Sequence, residues 1–82
     1  MKILFFASLR ERLNCDQEEW TGTSDITSPQ DIINRLIERG APWDAALKSG
    51  KLLVSINQEM AHLSSDVNAD DEVAFFPPVT GG

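Results

Sequence analysis

The C-terminal residues limit the fold before anything else does. Glu72-Val73-Ala74-Phe75-Phe76 has the alternation and aromatic content of a strand, and Pro77-Pro78 follows at once. Proline offers no N–H to a sheet ladder, so pairing must stop there. A residue before proline is held extended, which aims Phe76 and Pro77 outward. The six residues Pro77, Pro78, Val79, Thr80, Gly81 and Gly82 span roughly 20 Å when fully extended. Gly81-Gly82 ends that reach with no side chain to obstruct a narrow channel. With glycine at about 7% of residues, two in succession arise by chance only about 0.5% of the time. Residues 1–76 therefore read as a folded domain, and 77–82 as an extended, flexible C-terminal Gly-Gly tail shaped to enter something.

The remaining elements supply a sheet for that last strand to join. Lys2 to Phe6 reads as a strand with Ile3 and Phe5 on one face and Leu4 and Phe6 on the other. Two apolar faces suggest a central strand, or one whose second face is kept for a partner. Ser8-Leu9-Arg10-Glu11 has the spacing of a capping box and predicts a short helix through Leu13. Asn14-Cys15-Asp16 reads as a turn, and Gln17 to Thr21 as a second strand. Ser28 suits an N-cap and Pro29 the first helical position. Ile32, Ile33, Leu36 and Ile37 then form one stripe at helical spacing, closed by Gly40 and Pro42. Trp43 to Lys48 predicts one further helical turn. Lys51 to Asn57 reads as a strand with Leu52, Val54 and Ile56 on one face. A turn at Asn57-Gln58-Glu59 leads to a short strand, Met60 to Leu63.

This order predicts an α+β fold: a mixed sheet of about five strands with one main helix packed on it. The N-terminal hairpin, the crossing helix and the terminal strand suggest a β-grasp, with the first and last strands adjacent in the middle. With 82 residues the chain has room for one core, and 41% hydrophobic content is enough to fill it. A net charge of −6 argues against nucleic acid as a partner and is compatible with a basic partner cleft. The start of the chain reads as neither signal peptide nor membrane span. The lone cysteine fits a reducing, cytoplasmic setting.

Three stretches carry a family resemblance. Lys2-Ile3-Leu4-Phe5-Phe6-Ala7, with Leu9-Arg10-Glu11, resembles the start of the small subunit of molybdopterin synthase. Gly50-Lys51-Leu52-Leu53 and Ile56-Asn57-Gln58 are similar to that family's middle. Asp71 to Gly82 is very close to its terminal block. The resemblance implies a ubiquitin-like β-grasp that carries sulfur. In such a carrier an adenylating activating enzyme of the ubiquitin-activating type uses ATP and Mg to form an acyl-adenylate on Gly82. A persulfide sulfur donor then displaces AMP, and the product is a C-terminal thiocarboxylate. Donation to cyclic pyranopterin monophosphate follows in the large subunit, within a heterotetramer of two small and two large subunits. The resemblance also makes Phe6, Phe76 and Met60 a docking face, with Arg10 at its rim. It implies no cofactor or metal bound by this chain, and no catalytic apparatus of its own.

Other residues invite blander readings. Cys15 has no basic neighbour and no Cys-x-x-Cys partner, so it reads as a spectator to the sulfur chemistry. His62 reads as an exposed strand histidine, Asp70-Asp71-Glu72 as a turn rather than a Ca²⁺ loop, and Asp16, Glu18 and Glu19 as a solvated face. Two alternatives stay open: a sulfur carrier for another pathway, of the thiazole type, and a protein modifier conjugated through Gly82. The mass gain of one sulfur-for-oxygen exchange, against a large covalent adduct, separates carrier from modifier.

Overall fold

Two parallel strands occupy the middle of the molecule. The computed structural model describes residues 1–48 and 51–78, and its elements are β1 (Lys2–Phe5), α1 (Ala7–Leu13), β2 (Gln17–Glu19), α2 (Pro29–Ile37), α3 (Trp43–Leu47), β3 (Leu53–Ile56), β4 (Glu59–Ala61) and β5 (Glu72–Phe76). Strand order is β2-β1-β5-β3-β4. β1 and β5 are parallel, with Lys2 opposite Glu72 and Phe5 opposite Phe75, while the other pairings are antiparallel. This is the mixed α+β sheet expected, with the first and last strands adjacent at its centre.

Alternation divides the sheet into two faces. Ile3, Phe5, Val54, Val73 and Phe75 are buried beneath the helices, joined by Leu9, Leu13, Ile32, Ile33, Leu36, Ala46 and Leu47. Full burial of each large side chain contributes about 1.5–3 kcal/mol. Phe5 holds this core together, its ring 5.7 Å from Trp43 edge-on and 6.3 Å from Phe75. Both central strands run towards one pole of the molecule, where Phe6, Phe76, Pro77 and Pro78 emerge.

Several local expectations change. β1 stops at Phe5, because Phe6 takes the N-cap position of α1 with φ −122° and ψ 159°. The capping box of Ser8 and Glu11 does not form, since Ser8 already lies inside the helix and no side chain caps it. Ala7 instead adopts φ +56°, a left-handed turn made by the backbone alone. Ser28 does sit at the N-cap of α2 with Pro29 at the first position, yet its hydroxyl makes no capping bond. The Asp31 carboxylate instead reaches back to the residue before the cap, accepting from the Thr27 backbone N and Oγ1 at 3.0 Å each. Gly40, at φ +84°, follows α2 as predicted.

The edge strands are shorter than their sequence windows. β2 ends at Glu19, with Trp20 N donating to Met1 O at 2.8 Å beyond it. β4 is Glu59–Ala61, so the exposed His62 lies just outside the strand. Asn57 and Gln58, at φ 52° and 69°, form the two-residue turn that joins β3 to β4. Asp71 closes the acidic loop as a turn, its carboxylate accepting from Asn57 Nδ2 at 3.0 Å and Asn68 N at 2.8 Å.

Candidate functional site

The sheet face away from the helices carries apolar side chains that no element among the described residues covers. Because β1, β3 and β5 each alternate two apolar sets, burying Phe5, Val54 and Phe75 turns Leu4, Leu53 and Phe76 outward. Phe6 and Phe76 stack at 5.0 Å between ring centroids and 11° between planes. Phe6 and Leu53 are each 38% exposed, and Met60 is 67% exposed. Leu53 is the cross-strand partner of Phe76. Ala74 and Ser55 lie between Leu4 and Met60 in the next row, so the middle of this face is floored by small residues. The left-handed Ala7 turn leads the chain from Phe6 into α1, so the ring of Phe6 can rest on Phe76 instead of entering the core.

Phe6, Phe76 and Met60, expected together, do share this face. Met60 stands on the edge strand β4, separated from Phe76 by β3. Leu4 and Leu53 belong to the same face, in addition to the contact residues expected from sequence. The signal was present in both cases: alternation already placed Leu4 beside Phe6, and setting Leu52 and Val54 inward leaves Leu53 outward.

The root of the tail sits elsewhere. Pro77 and Pro78, both half-buried, line a groove of about 220 Å³ with Ser8, Leu9, Arg12, Ala46, Lys51 and Leu52. Val79, Thr80, Gly81 and Gly82 lie outside the described residues. Arg10 lines a different depression, with Glu11, Asn14, Cys15 and Asp16. The cations beside the tail root are therefore Arg12 and Lys51. Ser8 and Arg12 are four apart on α1, the spacing that puts them on one helix face.

Cys15 is half-buried against a charged cluster. Its Sγ lies 3.8 Å from Glu18 Oε2 and 3.6 Å from the Gln17 carbonyl. Burial pushes the thiol above its ordinary range, and the neighbouring carboxylate of Glu18 pushes it further. A thiol so held is a poor nucleophile at neutral pH. Glu18 meanwhile receives both guanidinium nitrogens of Arg39 at 2.8 Å and Trp20 Nε1 at 2.9 Å. The Arg39 hydrogen bonds chiefly hold its carboxyl below the usual range, against a partly opposing effect of burial. Arg39 also lies over the Trp43 ring at 4.6 Å. Glu18 is thus not merely part of a solvated face: it ties the edge strand β2 to the end of α2. This cluster has the partners of a structural clamp. Among the described residues, no helix is long and apolar enough to cross a membrane.

Comparison with known proteins adds sequence and fold relatives. The ThiS family matches residues 3–82. The molybdopterin synthase sulfur carrier subunit of Haemophilus influenzae is 43% identical over 82 residues, covering 100% of this chain and 99% of its own. The Escherichia coli protein of the same name is 38% identical with the same coverage. Among solved structures, SAMP1 of Haloferax volcanii, a small archaeal modifier protein, is 28% identical with a TM-score of 0.67, covering 100% of this chain and 98% of its own. A chain from the Helicobacter pylori complex of subunits 1 and 2 of molybdopterin-converting factor shares the fold, at 19% identity, 99% and 96% coverage and a TM-score of 0.61.

Proposed function

The chain belongs to the ThiS family, and from that membership we propose that it is the sulfur carrier subunit of a molybdopterin synthase. The observation that carries this reading is full-length identity of 43% and 38% with two proteins named for that role. In this reading Gly82 supplies the reacting carboxylate. A carboxylate is a poor electrophile, so an activating enzyme first joins it to the AMP portion of ATP, with pyrophosphate leaving. A persulfide sulfur then attacks the acyl carbon and AMP departs. Thiol cleavage of the S–S bond leaves a thiocarboxylate, whose sulfur passes to the pterin precursor in the large subunit.

This chain's own part is delivery. The central strand β5 anchors the tail, Pro77-Pro78 stop the pairing, and the uncovered face with Phe6, Phe76, Leu53 and Met60 docks the large subunit. An exposed apolar cluster on a small domain suits such a contact. The Helicobacter complex of subunits 1 and 2, built on the same fold, supports a partner of that kind. A second reading, a protein modifier joined through Gly82, draws on the likeness to the Haloferax modifier protein.

Incubation with the activating enzyme, ATP and a persulfide donor, followed by intact mass measurement, tests the assignment. The carrier reading expects one sulfur-for-oxygen exchange on this chain and molybdopterin formation once the large subunit is added. Deleting Gly82 draws the reacting carboxyl back by roughly 3.3–3.6 Å, and should abolish transfer while docking persists. Transfer at the native rate by the deletion variant, or isopeptide adducts in place of thiocarboxylate, would refute it.

A further inference from the structure

We propose that the groove at the tail root, flanked by Arg12 and Lys51, grips acidic side chains on the rim of the large-subunit channel that admits the tail. The inference rests on the carrier reading and adds to it a second, electrostatic contact separate from the apolar sheet face. Its first support is the groove itself. Leu9, Ala46 and Leu52 form its buried floor, Pro77 and Pro78 one boundary, and Arg12 and Lys51 are exposed beside them. A partner that swallows residues after Pro78 must bring its channel mouth against these groups.

Charge is the second support. The chain carries 13 acidic and 7 basic residues, yet the two charged side chains lining this groove are both cations. Lys48 lines the neighbouring depression, which shares Leu52 with it. Asp44, at the start of α3, does not line the groove, and its Oδ1 accepts from the Ala45 backbone N at 2.7 Å. Among the described residues the ion pairs are Arg35–Asp25 and Arg39–Glu18, so neither Arg12 nor Lys51 is neutralised by one of them.

Polarity along the sheet is the third. β1 and β5 begin at Lys2 and Glu72, beside Asp70 and Asp71, and both run towards the groove. The acidic loop and the cationic groove therefore lie at opposite poles. An acidic chain as a whole suits a basic partner, but the groove at the tail root is locally reversed, although Glu11 and Asp16 line the depression next along α1. Complementary charge there steers the tail end inward and sets the orientation of encounter.

The test compares two variants with the same net charge. Arg12→Gln with Lys51→Gln removes two positive charges at the groove. Ser24→Glu with Ala69→Glu adds two negative charges at the opposite pole, where both residues are exposed beside Met1. Each is titrated calorimetrically against the purified large subunit at 0.05 M and 0.5 M NaCl, with melting curves to confirm folding. The groove variant should bind roughly five- to twenty-fold more weakly at low salt, as two rim pairs permit. The difference should fall below about twofold at 0.5 M, where the Debye length is about 4 Å. The opposite-pole variant should stay within about twofold of the native protein, and Arg12→Lys with Lys51→Arg should bind normally. Native binding by the groove variant, equal loss in the opposite-pole variant, or a loss indifferent to salt overturns the groove contact and leaves the carrier reading standing. Failure of the native protein to bind the large subunit at all removes both.

Discussion

Phe6 and Phe75 look alike in sequence but should respond in opposite ways to truncation. Phe75 is fully buried, with its ring stacked on Phe5 at 6.3 Å. Phe75→Ala therefore costs about 3–5 kcal/mol, as in other cores. A domain of 82 residues holds roughly 4–12 kcal/mol in all, so this change removes a quarter or more of its stability. Phe6 is 38% exposed and touches the outer ring of Phe76. Losing that stack costs about 0.5–1.5 kcal/mol, and with the ring's partial burial Phe6→Ala comes to about 1–2 kcal/mol. At about 4–8 °C per kcal/mol, the two variants separate clearly in a thermal melt. Binding should reverse the order. An aromatic anchor at the centre of an interface costs 2 kcal/mol or more on truncation, about thirty-fold in affinity. Calorimetric titration against the large subunit should show that loss for Phe6→Ala and Phe76→Ala. Comparable melting shifts for Phe6→Ala and Phe75→Ala, with binding unchanged, would return Phe6 to the core and remove the docking face.

Four further outcomes follow from the same geometry. Met60→Asp or Leu53→Asp should alter stability by about 1 kcal/mol or less, yet weaken large-subunit binding at least tenfold in the same titration. Cys15→Ser should form thiocarboxylate normally, and Cys15 itself should react with iodoacetamide at pH 8 more slowly than free cysteine; fast alkylation would contradict the raised thiol. Glu18→Gln should destabilise at pH 7, measured by urea midpoints. The Glu18 carboxyl is held low when folded, so its contribution is full above about pH 4.3 and is lost as pH falls below that. The gap between native and variant should therefore narrow progressively as pH falls through the lowered carboxyl range, and a constant gap would assign the effect to packing. Ala7→Gly relieves a left-handed residue and should stabilise by about 1 kcal/mol or less; a fall in melting temperature would mean that Ala7 carries no strain.

What was legible in the sequence was what neighbours two to four residues apart can encode. The alternation of Phe5 with Phe6 and of Phe75 with Phe76 assigned inner and outer faces before any contact was known, because successive strand side chains point oppositely. The stripe of Ile32, Ile33 and Leu36 located the main helix, and Pro29 and Gly40 its ends. Pro77-Pro78 marked the strand's last residue. Tertiary structure decided the rest. The start of α1 passed to Phe6 and Ala7, because the path out of β1 outweighed a capping pattern that Ser8 and Glu11 only permit. Glu18 found Arg39 across 21 positions, turning an apparently solvated acid into the tie on an edge strand. Arg12, Lys51 and Pro77 come from three separate stretches and share a groove only because parallel β1 and β5 end at one pole, where α1 and α3 also lie. Periodicity states which face each element must bury. Which elements bury those faces against one another depends on loop closure and shape, and no short window of sequence contains either.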